Sequence, residues 1–182
     1  EAHESNPEMV GWITIPGMDI NYPVVKKNKD NNYYLTHAFD NSEDKNGSIF
    51  MDYRCDIVNP TTNTIIYGHN MKNGSMFQNL HLFADADFFR EHPDVYIYTP
   101  DGVLAYKVFA AYTYDDRHIM NSFDFNDPEV FQSYLDEIFH VRSMDANIRD
   151  DINVTVNDHI ITLATCIGGQ PRSRYLVQAV LN

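Results

Sequence analysis

The sequence predicts a mainly β domain, built as an antiparallel or mixed barrel with a few inserted helices. About eight runs rich in Val, Ile, Tyr and Phe are separated by turn residues, and these residue types favour half-buried pleated surfaces. The chain has 182 residues, of which 43% are hydrophobic and 13% aromatic, so it can bury the core of one compact domain. The strand-like runs do not alternate with helical ones, which argues against βαβ units.

The first half of the chain is predicted to contain four strands and several short helices. Residues 1–8 are polar and are predicted to form a linker or a short helical lead, followed by one domain over residues 9–182. Short helices are predicted within residues 30–35, 75–83 and 85–91, where the apolar spacing changes. The predicted strands lie at residues 10–16, 21–25, 47–52 and 64–67.

The second half begins with a predicted hairpin over residues 95–98 and 104–114. The intervening Pro-Asp-Gly has the residues that a tight turn needs. Residues 127–142 give the clearest helical pattern, because an Asp-Pro pair suits the N-cap and first turn and the apolar residues that follow are three or four apart. Further strands are predicted at residues 153–156, 159–166 and 174–181.

The charge of the chain bears on its partners. The formal net charge is −13, from 13 basic and 26 acidic residues, which argues against nucleic acid and anionic lipid as partners. No apolar run approaches the roughly 20 residues that a membrane span requires. No His or Asp cluster shows metal-ligand spacing, so the sequence predicts neither a metal nor a cofactor.

Cys166 is the first candidate for chemistry, because it ends an apolar strand directly before two glycines. A strand end is a rigid platform, and a glycine loop leaves space for a substrate. Buried cysteines are also common as inert packing residues, so these features alone leave both interpretations open. Cys55 falls in a predicted loop and is interpreted as incidental, with a regulatory disulfide to Cys166 as the alternative.

His69 and Arg174 are the candidates for assisting a thiol. His69 follows a predicted strand, and an imidazolium lowers the pKa of a nearby thiol and can protonate a leaving amine. Arg174 opens the predicted last strand, eight positions after Cys166, and a guanidinium can hydrogen-bond an oxyanion. Arg172 is a nearby rival, and ordinary solvent-facing roles are the alternatives for both candidates.

Several segments resemble the sortase family. Thr162-Leu163-Ala164-Thr165-Cys166 matches the TLxTC signature of sortases, and residues 174–181 resemble their arginine-led last strand. Ile66-Tyr67-Gly68-His69-Asn70-Met71 resembles the histidine motif of class B sortases. The likeness covers about residues 6–182, nearly the whole chain. Other segments that resemble this class are residues 21–25, 47–54 and 74–77.

The resemblance implies a sortase-type barrel of eight strands with short inserted helices, one of them between strands 6 and 7, where the 127–142 helix fits. It also implies a cysteine transpeptidase with Cys166, His69 and Arg174 as catalytic residues. Such an enzyme cleaves a C-terminal sorting motif after Thr through a thioacyl intermediate, and transfers the acyl group to an amine of cell-wall peptide or pilin.

The same resemblance implies partners and a location. The partners are surface proteins with a C-terminal sorting signal, and a peptidoglycan stem or cross-bridge amine or a pilin lysine. The location is the extracellular face of the cytoplasmic membrane of a Gram-positive bacterium, with an anchor preceding Glu1. Two other functions stay open: a thiol peptidase that mainly hydrolyses the intermediate, and a non-catalytic surface-binding barrel.

Four further residues are predicted to bind the substrate. Thr165 is predicted to touch the substrate or orient the thiol, with packing within the strand as the alternative. Ala164 fills the variable position of the signature and has no hydroxyl to offer. Asn31 and Tyr114 are predicted to line the pocket, and the loop over residues 167–173 is expected to border it.

Overall fold

The computed structural model describes residues 1–182 and shows a closed β-barrel. Eight strands form a ring in the order β5-β1-β2-β3-β4-β8-β9-β6, and pairing of β5 with β6 closes it. The short β7 pairs only with β6 and lies outside the ring. The predicted eight-stranded barrel is therefore confirmed. The strands are β1 Met9–Ile15, β2 Ile20–Val25, β3 Ile49–Met51, β4 Asn63–Tyr67, β5 Asp94–Thr99, β6 Gly102–Asp115, β7 Asn147–Ile148, β8 Ile160–Ile167 and β9 Gln170–Leu181.

Short helices lie in the segments between the barrel strands and before the first of them. Helix α4 lies after β6 and before β8, which is the seventh strand of the ring, so the predicted helix between strands 6 and 7 is present. Asp127 caps it as predicted, since Oδ1 accepts a hydrogen bond from the Glu129 backbone at 2.9 Å. No helix combines the length and apolarity that crossing a membrane requires. The helices are α1 Ala2–Ser5, α2 Ala86–Glu91, α3 Ile119–Ser122 and α4 Pro128–Phe139, with 3₁₀ helices at Tyr33–Leu35 and Gln78–Ala84.

A buried polar network fixes α4 on the outside of the barrel. Gln178 Nε2 donates to Tyr134 of α4 at 2.8 Å and to Thr162 Oγ1 at 3.0 Å. Its Oε1 accepts from the Tyr112 hydroxyl at 2.7 Å, and Thr162 in turn donates to Asn63 at 2.8 Å. All five side chains are buried, so each hydrogen bond offsets the cost of removing its polar groups from water. The network joins α4 to β4, β6, β8 and β9.

The turn between β8 and β9 differs from the prediction. Residues 167–173 were expected to form a loop, but only Gly168 and Gly169 lie outside the strands. Gly169 has φ +76°, a left-handed conformation that glycine adopts without steric cost. A two-residue turn lets β9 begin at Gln170, so Arg174 lies within the strand rather than at its start. None of residues 167–173 is among those that line the groove described below.

The strand predicted at residues 153–156 is also absent. The Thr155 backbone and hydroxyl both donate to Asp158 Oδ2, at 2.7 and 3.2 Å, and this local bonding closes a turn. The short β7 occurs earlier instead, where Asn147 and Ile148 pair with Ala111 and Ala110 of β6.

The residues before β1 are partly held against the barrel. Asn6 is buried, and its Nδ2 donates to the Tyr34 hydroxyl at 3.0 Å and to the Phe39 carbonyl at 2.8 Å. Residues 2–5 form the single turn α1, none of whose residues is buried. The division between residues 1–8 and 9–182 stays a prediction.

Candidate active site

A groove with a cavity of about 260 Å³ opens where β4 and β8 end, beside the first part of β9. The structure brings all of the predicted site residues to this groove. Three of them are the candidates for the chemistry considered above, and four were predicted to contact the substrate. The seven are Cys166, His69, Arg174, Asn31, Tyr114, Ala164 and Thr165.

Cys166 and Arg174 face each other across the β8–β9 pair. Residues directly opposite in an antiparallel pair have Cβ atoms about 4.5–5.5 Å apart, with both side chains on the same face. The thiol is exposed, and the guanidinium is half-buried. Arg174 Nη1 donates to the carbonyls of Pro171 and Ser173, at 3.1 and 3.0 Å. The Nη1 end of the guanidinium is therefore held in place. The other N–H groups of the guanidinium have no protein partner and can reach an oxyanion.

His69 reaches the groove because β4 runs parallel to β8. Tyr67 is in register with Ala164, and the Gly68 backbone donates to the Ala164 carbonyl at 3.1 Å. His69 Nε2 lies 2.6 Å from the Leu35 carbonyl oxygen. A carbonyl only accepts, so Nε2 carries a proton and Nδ1 is the nitrogen that can exchange one. Nδ1 has no hydrogen-bond partner within the protein.

Gly68 has no side chain, so the backbone directly before His69 can pass close to the core. A Cβ atom at this position would lie 2.5 Å from Ile49 Cδ1 and 2.7 Å from the Phe77 ring. Both neighbours are core side chains with no room to retreat, since each is at most 1% exposed. A larger residue at position 68 would therefore displace the backbone that carries His69.

Thr165 and Ala164 differ in how they meet the groove. Side chains alternate along a strand, so Ala164 shares the face of Cys166 and Thr165 lies on the opposite face. Thr165 is 3% exposed, and its Oγ1 has no hydrogen-bond partner. These observations favour packing for the Thr165 side chain, while Ala164 forms part of the groove floor.

Tyr114 extends the row of side chains beside the thiol. It is in register with Arg174 on β9, which is in register with Cys166 on β8, so the three leave the same face of the barrel. The Tyr114 hydroxyl is buried without a partner, and the Arg117 guanidinium lies 5.2 Å from the ring centre. Burial raises the pKa of Tyr114, so its hydroxyl stays protonated.

Asn31 lines the groove, but its amide is already hydrogen-bonded. Nδ2 donates to Asp52 Oδ2 at 3.0 Å, and Oδ1 accepts from the Tyr53 backbone at 2.9 Å. One amide hydrogen remains for a ligand.

Residues 115–119 in the groove and His81 beside it were not singled out from the sequence. Residues 115–119 form one side of the groove, where Arg117 Nε is bound to both carboxylate oxygens of Asp115 at 2.8 and 3.0 Å. His81 Nε2 lies 3.1 Å from the Cys166 carbonyl oxygen, and its ring stacks on Tyr175. The Asp-Asp-Arg-His run at positions 115–118 has the composition of a solvent-exposed loop, so only the fold reveals its place.

Cys55 lies away from the groove. It is 2% exposed, and its Sγ is 3.6 Å from the Asn63 carbonyl oxygen. Burial raises the pKa of this thiol to about 11, so it stays protonated. Both cysteines are free, and the structure contains no disulfide.

An eight-stranded barrel with a thiol, an imidazole and a guanidinium in one groove at its strand ends is the architecture of the sortase class of proteins. The family model for the sortase domain matches residues 13–182. The chain therefore belongs to the sortase family.

Within this family the chain is similar to sortase B proteins. It is 40% identical to sortase B of Listeria monocytogenes over 169 residues, which cover 91% of this chain and 65% of that protein. The chain thus spans about 65% of the length of this curated relative. Among solved structures, the Staphylococcus aureus sortase B–substrate complex has a TM-score of 0.88 at 33% identity, with 100% of this chain and 82% of that chain covered. Clostridium perfringens sortase B has a TM-score of 0.89 at 31% identity, with 100% and 97% covered.

Proposed function

We propose that this chain is a class B-like cysteine transpeptidase that acts on surface proteins bearing a C-terminal sorting signal. The observation that carries the proposal is the meeting of Cys166, His69 and Arg174 in one groove of a sortase-family barrel. Sortase B of Staphylococcus aureus, a structural neighbour, was solved as a complex with its substrate. An extended peptide in the corresponding groove of this chain would pass the exposed thiol.

The first half of the reaction forms a thioacyl enzyme. His69 Nδ1 takes the proton of the Cys166 thiol, and the thiolate attacks the carbonyl carbon of the substrate threonine. A C–S bond forms, the C=O π bond opens, and the carbonyl oxygen becomes an oxyanion. The unpartnered N–H groups of Arg174 hydrogen-bond this oxyanion. As the tetrahedral species collapses, the C–N bond breaks and His69 Nδ1 gives its proton to the leaving amine.

The second half transfers the acyl group. An acceptor amine attacks the thioester carbon, His69 Nδ1 takes the amine proton, and the C–S bond breaks to restore the thiolate. The acceptor is an amine of a peptidoglycan stem or cross-bridge, or a pilin lysine. The enzyme acts at the extracellular face of the cytoplasmic membrane, held there by an N-terminal anchor.

A cleavage assay tests this proposal. A library of sorting peptides is incubated with the protein, with and without amine acceptors, and the products are identified by mass spectrometry. Cleavage after Thr, a thioacyl adduct on Cys166 and an amide product with the acceptor are expected, and Cys166→Ala should abolish all three. Cleavage by that variant would contradict the assignment of the nucleophile.

The same assay separates the proposal from its alternatives. A thiol peptidase would give only the hydrolysed product even with acceptor amine present. A non-catalytic binding barrel would give neither cleavage nor an adduct on Cys166. Either result would overturn the transpeptidase proposal.

A further inference from the structure

Next to the groove lies an ion pair, between buried Asp52 and half-buried Arg54, that the proposed reaction does not use. The Asp52 side chain is 0% exposed. Its Oδ1 accepts from the Arg54 backbone at 3.0 Å and from Arg54 Nε at 2.9 Å. Its Oδ2 accepts from Arg54 Nη2 at 2.8 Å and from Asn31 Nδ2 at 3.0 Å. These four hydrogen bonds, two of them from the Arg54 guanidinium, satisfy a carboxylate that water cannot reach.

On one side, this pair holds residues 31–35, which we call the first wall of the groove. Asn31 and Leu35 of this wall line the groove. Both ends of the Asn31 amide are hydrogen-bonded, since Nδ2 donates to Asp52 Oδ2 and Oδ1 accepts from the Tyr53 backbone N–H. The position of the first wall therefore depends on the Asp52–Arg54 pair.

On the other side, the pair holds residues 115–119, the second wall. Arg54 Nη1 donates to Asn121 Oδ1 in α3. Helix α3 begins at Ile119, which lines the groove together with His118 before it. Arg54 thus reaches one wall through Asp52 and the other through Asn121.

We propose that Arg54 is a positioning residue that fixes the separation of the two groove walls, and so the fit of the peptide substrate. A guanidinium suits this role because its planar fork binds the carboxylate with two nitrogens and still offers a third to Asn121. A lysine keeps the charge beside buried Asp52 but has a single nitrogen. Arg54→Lys therefore tests whether the contact through two guanidinium nitrogens is needed, or whether a positive charge beside Asp52 is enough.

The positioning role predicts an effect on substrate binding rather than on the chemical step. His69 is held by β4 and by hydrogen bonds from its neighbours, since Gly68 N binds Ala164 O and Phe77 N binds His69 O. Movement of the walls leaves these backbone contacts in place. A shift of the first wall also moves the Leu35 carbonyl that binds His69 Nε2, so kcat is expected to change by a small factor. We expect Arg54→Lys to raise KM for a sorting peptide about tenfold with kcat changed less than about threefold. Alkylation of Cys166 by iodoacetamide should keep its wild-type rate.

Variants at two exposed asparagines, Asn121 and Asn126, test the link between Arg54 and the second wall. Asn121→Ala removes only the link to the second wall and should raise KM by about three- to fivefold. Asn126→Ala is the matched control, because its side chain makes no hydrogen bond and it should keep wild-type KM. An unchanged KM in Arg54→Lys, or an equal loss in kcat and kcat/KM, would overturn the inference.

This kinetic test rests on the proposed function, so a second measurement is independent of activity. Hydrogen exchange should become faster in Arg54→Lys at both residues 31–35 and residues 119–122, and in Asn121→Ala only at residues 119–122. If the wild-type protein cleaves no sorting peptide, the proposed function fails while this measurement still decides on Arg54. Unchanged exchange in both segments of Arg54→Lys would overturn the positioning role.

Discussion

Arg174 lies directly opposite Cys166 on the neighbouring strand, so the guanidinium and the thiol leave the same face of the barrel. Their separation is set by the register of an antiparallel pair and not by a loop. Tyr114 continues the row on the next strand. The geometry of this part of the site is therefore as rigid as the sheet itself.

Replacement of this arginine should slow thioacylation. Arg174→Lys keeps a positive charge but loses the fork that is anchored on Pro171 and Ser173, so the oxyanion is held less well. We expect the single-turnover rate to fall about 100-fold. Arg172→Lys, at an exposed position of the same hairpin, is the control and should retain its rate. Equal rates for Arg174→Lys and the wild-type protein would exclude this role.

The two thiols should differ in reactivity. Cys166 is exposed, whereas Cys55 is 2% exposed and burial raises its pKa to about 11. At pH 8 we expect iodoacetamide to modify one thiol of the folded protein and both thiols in denaturing urea, because the reactive species is an accessible thiolate. Intact-mass measurement counts the adducts, and Cys166→Ala should give none when folded. Fast modification of Cys55 in that variant would show that its site is open.

Loss of Gln178 should destabilise the fold. Gln178→Leu leaves the buried hydroxyls of Tyr112, Tyr134 and Thr162 without one of their partners. We expect the free energy of unfolding in urea to fall by about 2–4 kcal/mol. Tyr106→Phe is the contrasting variant, because the Tyr106 hydroxyl is buried without a partner and its removal should cost less than about 0.5 kcal/mol. Similar losses in both variants would argue against the network.

Stability should decline at alkaline pH partly through Tyr34. Burial, together with the nearby Glu8 carboxylate, raises the pKa of Tyr34 from 10.0 to about 12. Between these values the unfolded chain has lost a proton that the folded chain still binds, so the free energy of unfolding decreases as pH rises from about 10 to 12. Below pH 9 this tyrosine contributes no pH dependence.

Denaturation at several pH values checks the contribution of this tyrosine. Tyr34→Phe should flatten the alkaline decline, although losing its bond to Glu8 lowers stability at neutral pH. Tyr98→Phe, at a position that is 46% exposed, should leave the slope unchanged. An identical slope in Tyr34→Phe and the wild-type protein would contradict the expectation.

Local patterns in the sequence predicted much of the fold. The Asp-Pro start of α4 and the Pro-Asp-Gly turn between β5 and β6 act through neighbouring residues, so they can be read before tertiary contacts exist. The start of β9 was predicted four residues late. The exposed residues 170–172 carry no apolar signal, and the tight Gly168-Gly169 turn is what extends the strand.

The groove was only partly predictable for a different reason. Cys166, His69 and Arg174 were found because each lies in a distinctive motif at a strand. The second wall was missed because Asp116, Arg117 and His118 are exposed polar residues whose importance depends on distant neighbours. The link between Arg54 and Asn121 spans 67 positions, and no periodicity reports such a contact.

The parallel pairing of β4 with β8 has a consequence for the order in which the molecule assembles. Asn63 pairs with Ile160 and Tyr67 with Ala164, so nearly a hundred residues must be synthesised and ordered before these strands meet. Contacts of such separation form slowly, because the entropy of closing the intervening chain is lost before any pairing is gained. We therefore expect the cysteine and histidine to become neighbours only late in folding. Until its last strands had docked, the chain would carry a thiol without its histidine partner.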